Sequence, residues 1–208
     1  MRQAYQNLFT TDSVRSAREK AYGPRPERRY SIAESGELSD EEIDFIESRD
    51  SFYMATVSED GWPYVQHRGG NAGFLKAIDS THLAFADFGG NRQLFSAGNI
   101  DANRKVSLFL MDYAAGHRLK IAGLANVLSV GQNPAIDDAL AIDKLKRVEG
   151  IFTIEVLGFD WNCPQHIPAK YSKDDVDAAL SGYKQRIADL ETKLANLKEN
   201  ELANPQGE

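Results

Sequence analysis

The sequence predicts a mainly β fold: a closed or split barrel of six strands with flanking helices, followed by one long helix. Three observations carry that expectation. The stretch from Phe52 to Val127 divides into apolar runs of strand length, each closed by a turn rich in Gly, Asn or Arg. One of those turns, Glu59-Asp60-Gly61, is of the Asp-Gly kind that joins antiparallel neighbours. Beyond Ser172, Leu180, Tyr183, Ile187, Leu190, Leu194 and Leu197 recur at spacings of three and four, the seam of a helix.

Each element follows from local signals. Residues 1–37 are polar and punctuated, and Thr11–Ala21 reads as a helix. A loose arm follows, in which Gly23, Pro24 and Pro26 interrupt the basic Arg25, Arg28 and Arg29. Ser39 with Glu42 three residues on is a capping box, and Ile43 and Ile46 continue a helix expected to end near Arg49. Strands are expected at Phe52–Ser58, Pro63–Arg68, Thr81–Asp87, Val106–Asp112, Leu119–Leu128 and Ile151–Phe159. Arg92–Ala102 contains a short helix, and Asn133–Arg147 is a helix opened by Pro134 and followed by Gly150. Strands joined by hairpins with one short helix between them point to a barrel, not to a parallel α/β sheet. The seam beyond Ser172 is short for an autonomous coiled coil, so it is expected to pack on the body or on its twin in a homodimer. The chain thus divides into a helix and arm (1–38), a barrel (39–171) and an amphipathic helix (172–208).

Bulk composition narrows the function classes. The 208 residues are 42% hydrophobic, enough to bury a core in one good-sized domain. A net charge of −7 argues against general nucleic-acid affinity, which needs an excess of Lys and Arg against the phosphate backbone. The lone Cys163 permits no internal disulfide, and a reducing compartment is the expectation. The N-terminal residues lack an apolar core of secretory length, and no stretch approaches the roughly 20 apolar residues of a membrane span. The chain is expected to be soluble and cytoplasmic.

Four segments hold residues suited to ligand chemistry. In DFGGNRQLFSAGN (87–99), Gly89 and Gly90 admit a ligand close to the main chain, and Arg92 offers a planar fork for phosphate. The segment lacks the Gly-Lys-Ser/Thr of a P-loop, and its plain structural reading is a glycine-rich turn with a solvated arginine. In QHRGG (66–70), a strand end carries Gln66, His67 and Arg68 before two glycines. If that strand merely alternates, Gln66 and Arg68 point outward and His67 inward. Arg118 opens the strand RLKIAG (118–123), where it points into a pocket or pairs with Asp112. In FDWNCPQHIP (159–168), Trp161 offers a flat surface beside Asn162, Gln165 and His166, or is simply a large core residue. Cys163 has no base in fixed register and reads as an inert thiol. The four histidines are too scattered for a zinc site, so no metal is expected.

Taken in order, DGWPYVQHRGG, GGNRQLFSAGN, the strand pair KVSLFLMD and RLKIAG, and DWNCPQHIP resemble the pyridoxamine 5′-phosphate oxidase-like proteins. The resemblance covers about residues 40–170 and is closest to that family's flavin-nucleotide-binding branch. It implies an FMN-binding split β-barrel of Greek-key-like order and a homodimer with flavin sites at the subunit interface. Gln66, His67 and Arg68 then lie on the strand that contacts flavin ring and phosphate, and Asn91, Arg92 and Gln93 on the phosphate loop. Ser96 and Asn99 lie near the helix after that loop. Arg118 occupies the position that reaches the ring from the other subunit, and Trp161 and Gln165 fall in the segment beside the ring. The chain departs from the vitamin B6 oxidases in its Gly69-Gly70-Asn71 turn and in ending on the Leu180–Leu197 helix. The implied activity is therefore an FMN-dependent oxidoreductase acting on another small-molecule substrate, with a reduced nicotinamide as possible donor. A flavin carrier or redox sensor without turnover, or a barrel holding haem or a deazaflavin, is the alternative.

Overall fold

Seven strands, all paired antiparallel, form one sheet in this computed structural model, which describes residues 2–24, 37–90, 92–144, 147–161 and 165–203. The strands are β1 (Ser51–Val57), β2 (Pro63–Gly69), β3 (Lys76–Ala77), β4 (His82–Phe88), β5 (Lys105–Asp112), β6 (His117–Leu128) and β7 (Val148–Trp161). The helices are α1 (Arg2–Phe9), α2 (Asp12–Tyr22), α3 (Asp40–Glu47), α4 (Phe95–Ala102), α5 (Pro134–Ala139) and α6 (Lys173–Ala203). Sheet order is β2-β1-β5-β6-β7-β4-β3. This is the split barrel expected from the sequence, with seven strands instead of six. The extra strand, β3, has two residues, too few to show a period of two. The basic arm at 25–29 lies outside the described residues.

The alternation of the strands sorts side chains into two faces. Phe52 pairs with Leu110, Leu110 with Leu119, and Leu119 with Trp161, so one row runs along the inner face. With Met54, Phe85, Ile121, Phe152 and Phe159 this row builds the main core. One residue further along each strand, the outer face carries His67, Tyr53, Phe109, Lys120 and Asp160 in a second row. Register therefore decides which residues reach the interior.

Two bulges interrupt the ladders. Asp87 pairs with Gly150 but Phe88 pairs with Val148, leaving Glu149 as the extra residue of β7. The second lies opposite Ala122 and Gly123 of β6, which pair with Gly158 and Val156 and leave Leu157 as the extra residue of β7. A bulge re-aims the side chain it leaves over, and Glu149 is re-aimed into the cleft described below.

The helices follow their caps. Ser39 caps α3 through a reciprocal capping box with Glu42, as the sequence indicates. Thr11 accepts from the Val14 amide at the start of α2. The helix expected over Asn133–Arg147 stops at Ala139, because Ala141 turns to a left-handed φ of 49°. Ile142–Lys144 is a 3-10 turn. The first helix, α1, lacks a cap signal in the sequence, and its Tyr5 backbone lies against Gly158 of β7.

The chain separates into two units, Met1–Ile167 and Pro168–Glu208. The second consists chiefly of α6, with 31 residues. Among the described residues, no helix is long and apolar enough to cross a membrane.

Candidate functional site

Strand β2 presents Tyr64, Gln66 and Arg68 toward the less exposed side and His67 toward solvent. The strand alternates as its sequence indicates, but in the opposite phase to the plain strand reading, which put His67 inside. His67 stands edge-on to Tyr53 on the outer face, ring centroids 5.6 Å apart.

Tyr64, Gln66 and Arg68 form one wall of a cleft of about 160 Å³. Asp87, Phe88, Gly90 and Glu149 form another, and Arg92, Gln93 and the first turn of α4 close it. The Tyr64 hydroxyl donates to Gln66 Oε1, which orders this wall. Arg68 Nη1 donates to Asp87 Oδ1, tying β2 to β4. The Arg68 guanidinium also lies over the rings of Phe85 and Phe152, 5.7 and 5.0 Å from their centroids. Burial pushes the Asp87 carboxyl up; Arg68 pulls it back by charge and hydrogen bond, Glu149 adds to the rise, and the result lies above the ordinary value.

The loop into α4 is bent by two left-handed residues, Arg92 at φ 59° and Leu94 at φ 52°. Leu94 is the N-cap and supplies no side-chain acceptor, so its own side chain caps none of the amides in the first turn of α4. Ser96 in that turn is 4% exposed, lines the cleft, and its Oγ has no hydrogen-bond partner among the described residues. A buried hydroxyl without a partner, beside a helix N-terminus and an arginine, is an arrangement that favours an anion. Phe88, Leu94 and Phe95 are exposed at the rim, and Phe95 meets Tyr64 edge-on at 5.5 Å.

The sequence-derived residues separate into those that line the cleft, those outside the described residues and those placed elsewhere. Gln66, Arg68, Arg92, Gln93 and Ser96 come together in the cleft. Asn91 lies outside the described residues, as do Asn162 and Cys163. Asn99 donates from Nδ2 to the buried Thr56 Oγ1 at 2.9 Å and so fastens α4 to β1. Arg118 faces outward over the Phe109 ring at 5.9 Å, and its Nε has no partner among the described residues. The pairing of Arg118 with Asp112 does not form: Asp112 pairs with Arg49 at 2.8 Å, which reaches it from beyond α3. Trp161 donates Nε1 to Glu42 Oε1 at 2.7 Å and packs edge-on to Phe45, while Gln165 is exposed in a turn.

Sequence reasoning missed Tyr64, Asp87 and Glu149. Tyr64 had a usable signal, since it lies two residues before Gln66 on an alternating strand. Asp87 opens the glycine-rich loop and went unremarked. Glu149 had none, because its place follows from a bulge. Among the described residues, no cluster of His, Cys, Asp or Glu is arranged to hold a metal.

Residues 38–142 match the family model described as pyridoxamine 5′-phosphate oxidase, and the chain belongs to that family. No curated protein matches the chain. Among solved structures, it is similar to a histidine-to-alanine variant of HupZ from Group A Streptococcus, at 16% identity and TM-score 0.50, covering 60% of this chain and 99% of that one. It is also similar to an FMN-binding protein from Syntrophomonas wolfei, at 10% identity and TM-score 0.41, covering 58% and 86%. A third is the haem storage protein HutZ from Vibrio cholerae, at 15% identity and TM-score 0.42, covering 60% and 94%. At these identities the likeness is one of fold.

Proposed function

We propose that this chain is an FMN-binding flavoprotein, and that it acts as an oxidoreductase on a small molecule. The observation that carries the reading is the anion-suited end of the cleft: the Ser96 hydroxyl without a partner among the described residues, the N-terminal turn of α4 and Arg92. Its polar floor and apolar rim of Phe88, Leu94 and Phe95 suit a flat aromatic ring joined to a phosphate.

Arg92, Gln93 and Ser96 would hold the phosphate, and Gln66 and Arg68 would face the ring. FMN supplies hydride and one-electron chemistry when bound. The protein's part is to orient and to exclude water. Asp87 holds the Arg68 fork in place, and the Tyr64 hydroxyl fixes the Gln66 amide so that its NH2 remains to donate. Held beside a bound ring, the Arg68 cation would favour negative charge on it. With a reduced nicotinamide as donor, no general base is required.

The family resemblance implies a homodimer in which Arg118 serves the cleft of the other copy. Exposed Trp62, Val65 and Tyr53 at the β1–β2 end of the sheet, 75%, 60% and 41% accessible, support pairing there.

The test is the visible spectrum of protein purified without added cofactor, repeated after FMN reconstitution and desalting. Retained flavin bands at about one FMN per chain are the expected result. A colourless protein that cannot retain FMN overturns the reading, and a Soret band assigns the cleft to haem.

A further inference from the structure

We propose that α6 is the docking surface for a second copy of this chain, and that the two α6 helices pair antiparallel. The apolar positions Val176, Leu180, Tyr183, Ile187, Leu190, Leu194 and Leu197 alternate in steps of four and three, which places them at the a and d positions of three heptads. All seven are between 43% and 70% exposed. A stripe of seven large apolar side chains along a 31-residue helix is a face built for another helix.

The charges beside the seam decide what the other helix is and which way it runs. Asp177, Lys184, Glu191 and Lys198 occupy the e positions; Arg186 and Lys193 occupy g. Antiparallel, with the twofold axis between Ala188 and Asp189, Leu180 faces Leu197 of the second copy, Tyr183 faces Leu194, and Ile187 faces Leu190. In that register Lys184 meets Glu191 of the second copy and Asp177 meets Lys198, each twice by symmetry. One like-charged meeting, Arg186 with Lys193, also occurs twice, so attraction prevails. Sliding the pair by one heptad either way sets Lys184 against Lys184 or Glu191 against Glu191. Parallel and in register, Arg186 meets Glu191 but Lys193 meets Lys198, leaving no surplus. The seam is thus complementary to its own reverse. Asp177 already bonds Lys173 at 2.5 Å and Lys184 at 3.4 Å within the helix, so these charges select orientation and the apolar layers supply affinity.

This pairing is independent of what the cleft binds. It is tested on the full chain with Cys163→Ser as background, by oxidation followed by non-reducing electrophoresis. Leu180→Cys and Leu197→Cys in one chain cannot bridge within a helix, being about 26 Å apart at 1.5 Å per residue. That double variant is expected to form covalent dimers, and each single variant is not. Cross-linking of the single variants, which parallel helices require, overturns the proposal, as does the absence of any cross-link. Lys198→Glu provides the second arm: facing Asp177 it should cut the double variant's cross-link yield about tenfold. In a parallel pair the same change faces Lys193 and raises the yield, again overturning the proposal. Circular dichroism checks that α6 stays helical throughout.

Discussion

Trp161 donates its indole N–H to Glu42 Oε1 at 2.7 Å, joining the last residue of β7 to the first turn of α3. The other carboxylate oxygen accepts from the Ser39 amide at 3.0 Å and from its hydroxyl at 2.5 Å, so one buried side chain closes a helix cap and seats an indole. Glu42→Ala removes both acceptor oxygens, breaking all three hydrogen bonds, and leaves the indole N–H unsatisfied. The expected cost is about 3 kcal/mol, read as a fall in thermal midpoint with a change in tryptophan emission.

The same carboxyl gives a pH signature. Burial pushes Glu42 up, but the hydrogen bonds from Ser39, Trp161 and the backbone together outweigh it and hold it below its ordinary value of 4.5. A depressed carboxyl contributes stability that is present above the unfolded value and lost as pH falls through the folded one. The stability gap between wild type and Glu42→Ala should therefore be widest at neutral pH and narrow below about pH 4.5. A gap independent of pH would contradict this account.

At the cleft, Arg92 and Ser96 separate ligand binding from folding. Arg92 is exposed, and Ser96 Oγ makes no hydrogen bond among the described residues. Arg92→Ala is expected to weaken FMN binding about 10- to 100-fold, and Ser96→Ala about tenfold, each with a midpoint within a few degrees of wild type. Titration calorimetry with FMN, beside thermal melts, distinguishes this from general damage.

Asp87 makes the opposite contribution. Its folded value is raised, chiefly by burial, so its stabilisation is complete below the unfolded value of 3.8 and is lost as pH rises through the folded one. Asp87→Asn lacks this dependence, and wild type should gain on the variant as acidity increases toward pH 3.8. The variant keeps an oxygen to accept from Arg68 but removes its counter-charge, so FMN affinity at neutral pH should rise severalfold. Lower affinity would show that Asp87 serves mainly to position Arg68.

Opposite the second bulge of β7, Gly123 on β6 has no room for a side chain. A Cβ on Gly123 would stand 2.4 Å from the Glu155 carbonyl oxygen and 2.8 Å from Ile154 Cγ2. Gly123→Ala should cost about 3 kcal/mol by chemical denaturation, because backbone must move. By contrast, Gly98 in α4 has open space around it, and Gly98→Ala should be neutral or stabilising.

The sequence reveals what local periods and caps encode. Ser39–Glu42, the Asp-Gly hairpin and six of the seven strands are local, and all are visible within a window of ten residues. The glycine-rich loop and Arg68 also stand out in the sequence, because their residue types are unusual for a turn and a strand end, and both line the cleft. What escaped depends on distant parts of the chain. Whether His67 or Arg68 faces inward follows from the pairing of β2 with β1, not from β2 itself. The partner of Asp112 is Arg49, 63 residues earlier, and the sequence offered the nearer Arg118 instead. In the sequence Trp161 suits a ring-stacking surface or a core position equally; its bond to Glu42, 119 residues earlier, decides its place.

The contact of Tyr5 with Gly158 bears on how copies of the barrel can assemble. A Cβ at Gly158 would lie 2.6 Å from the Tyr5 amide nitrogen, so α1 rides directly on the strand. The Lys120 ammonium lies 4.9 Å from the Tyr5 ring centre and pairs with Asp160 at 3.0 Å, which extends that cover across β6 and β7. One flank of the sheet's outer surface is thereby already roofed by the chain's own first helix. For backbone-close contact a neighbour finds open strand on the opposite flank, around Tyr53 and Val65, so the first helix biases where a neighbour can dock before any interface forms.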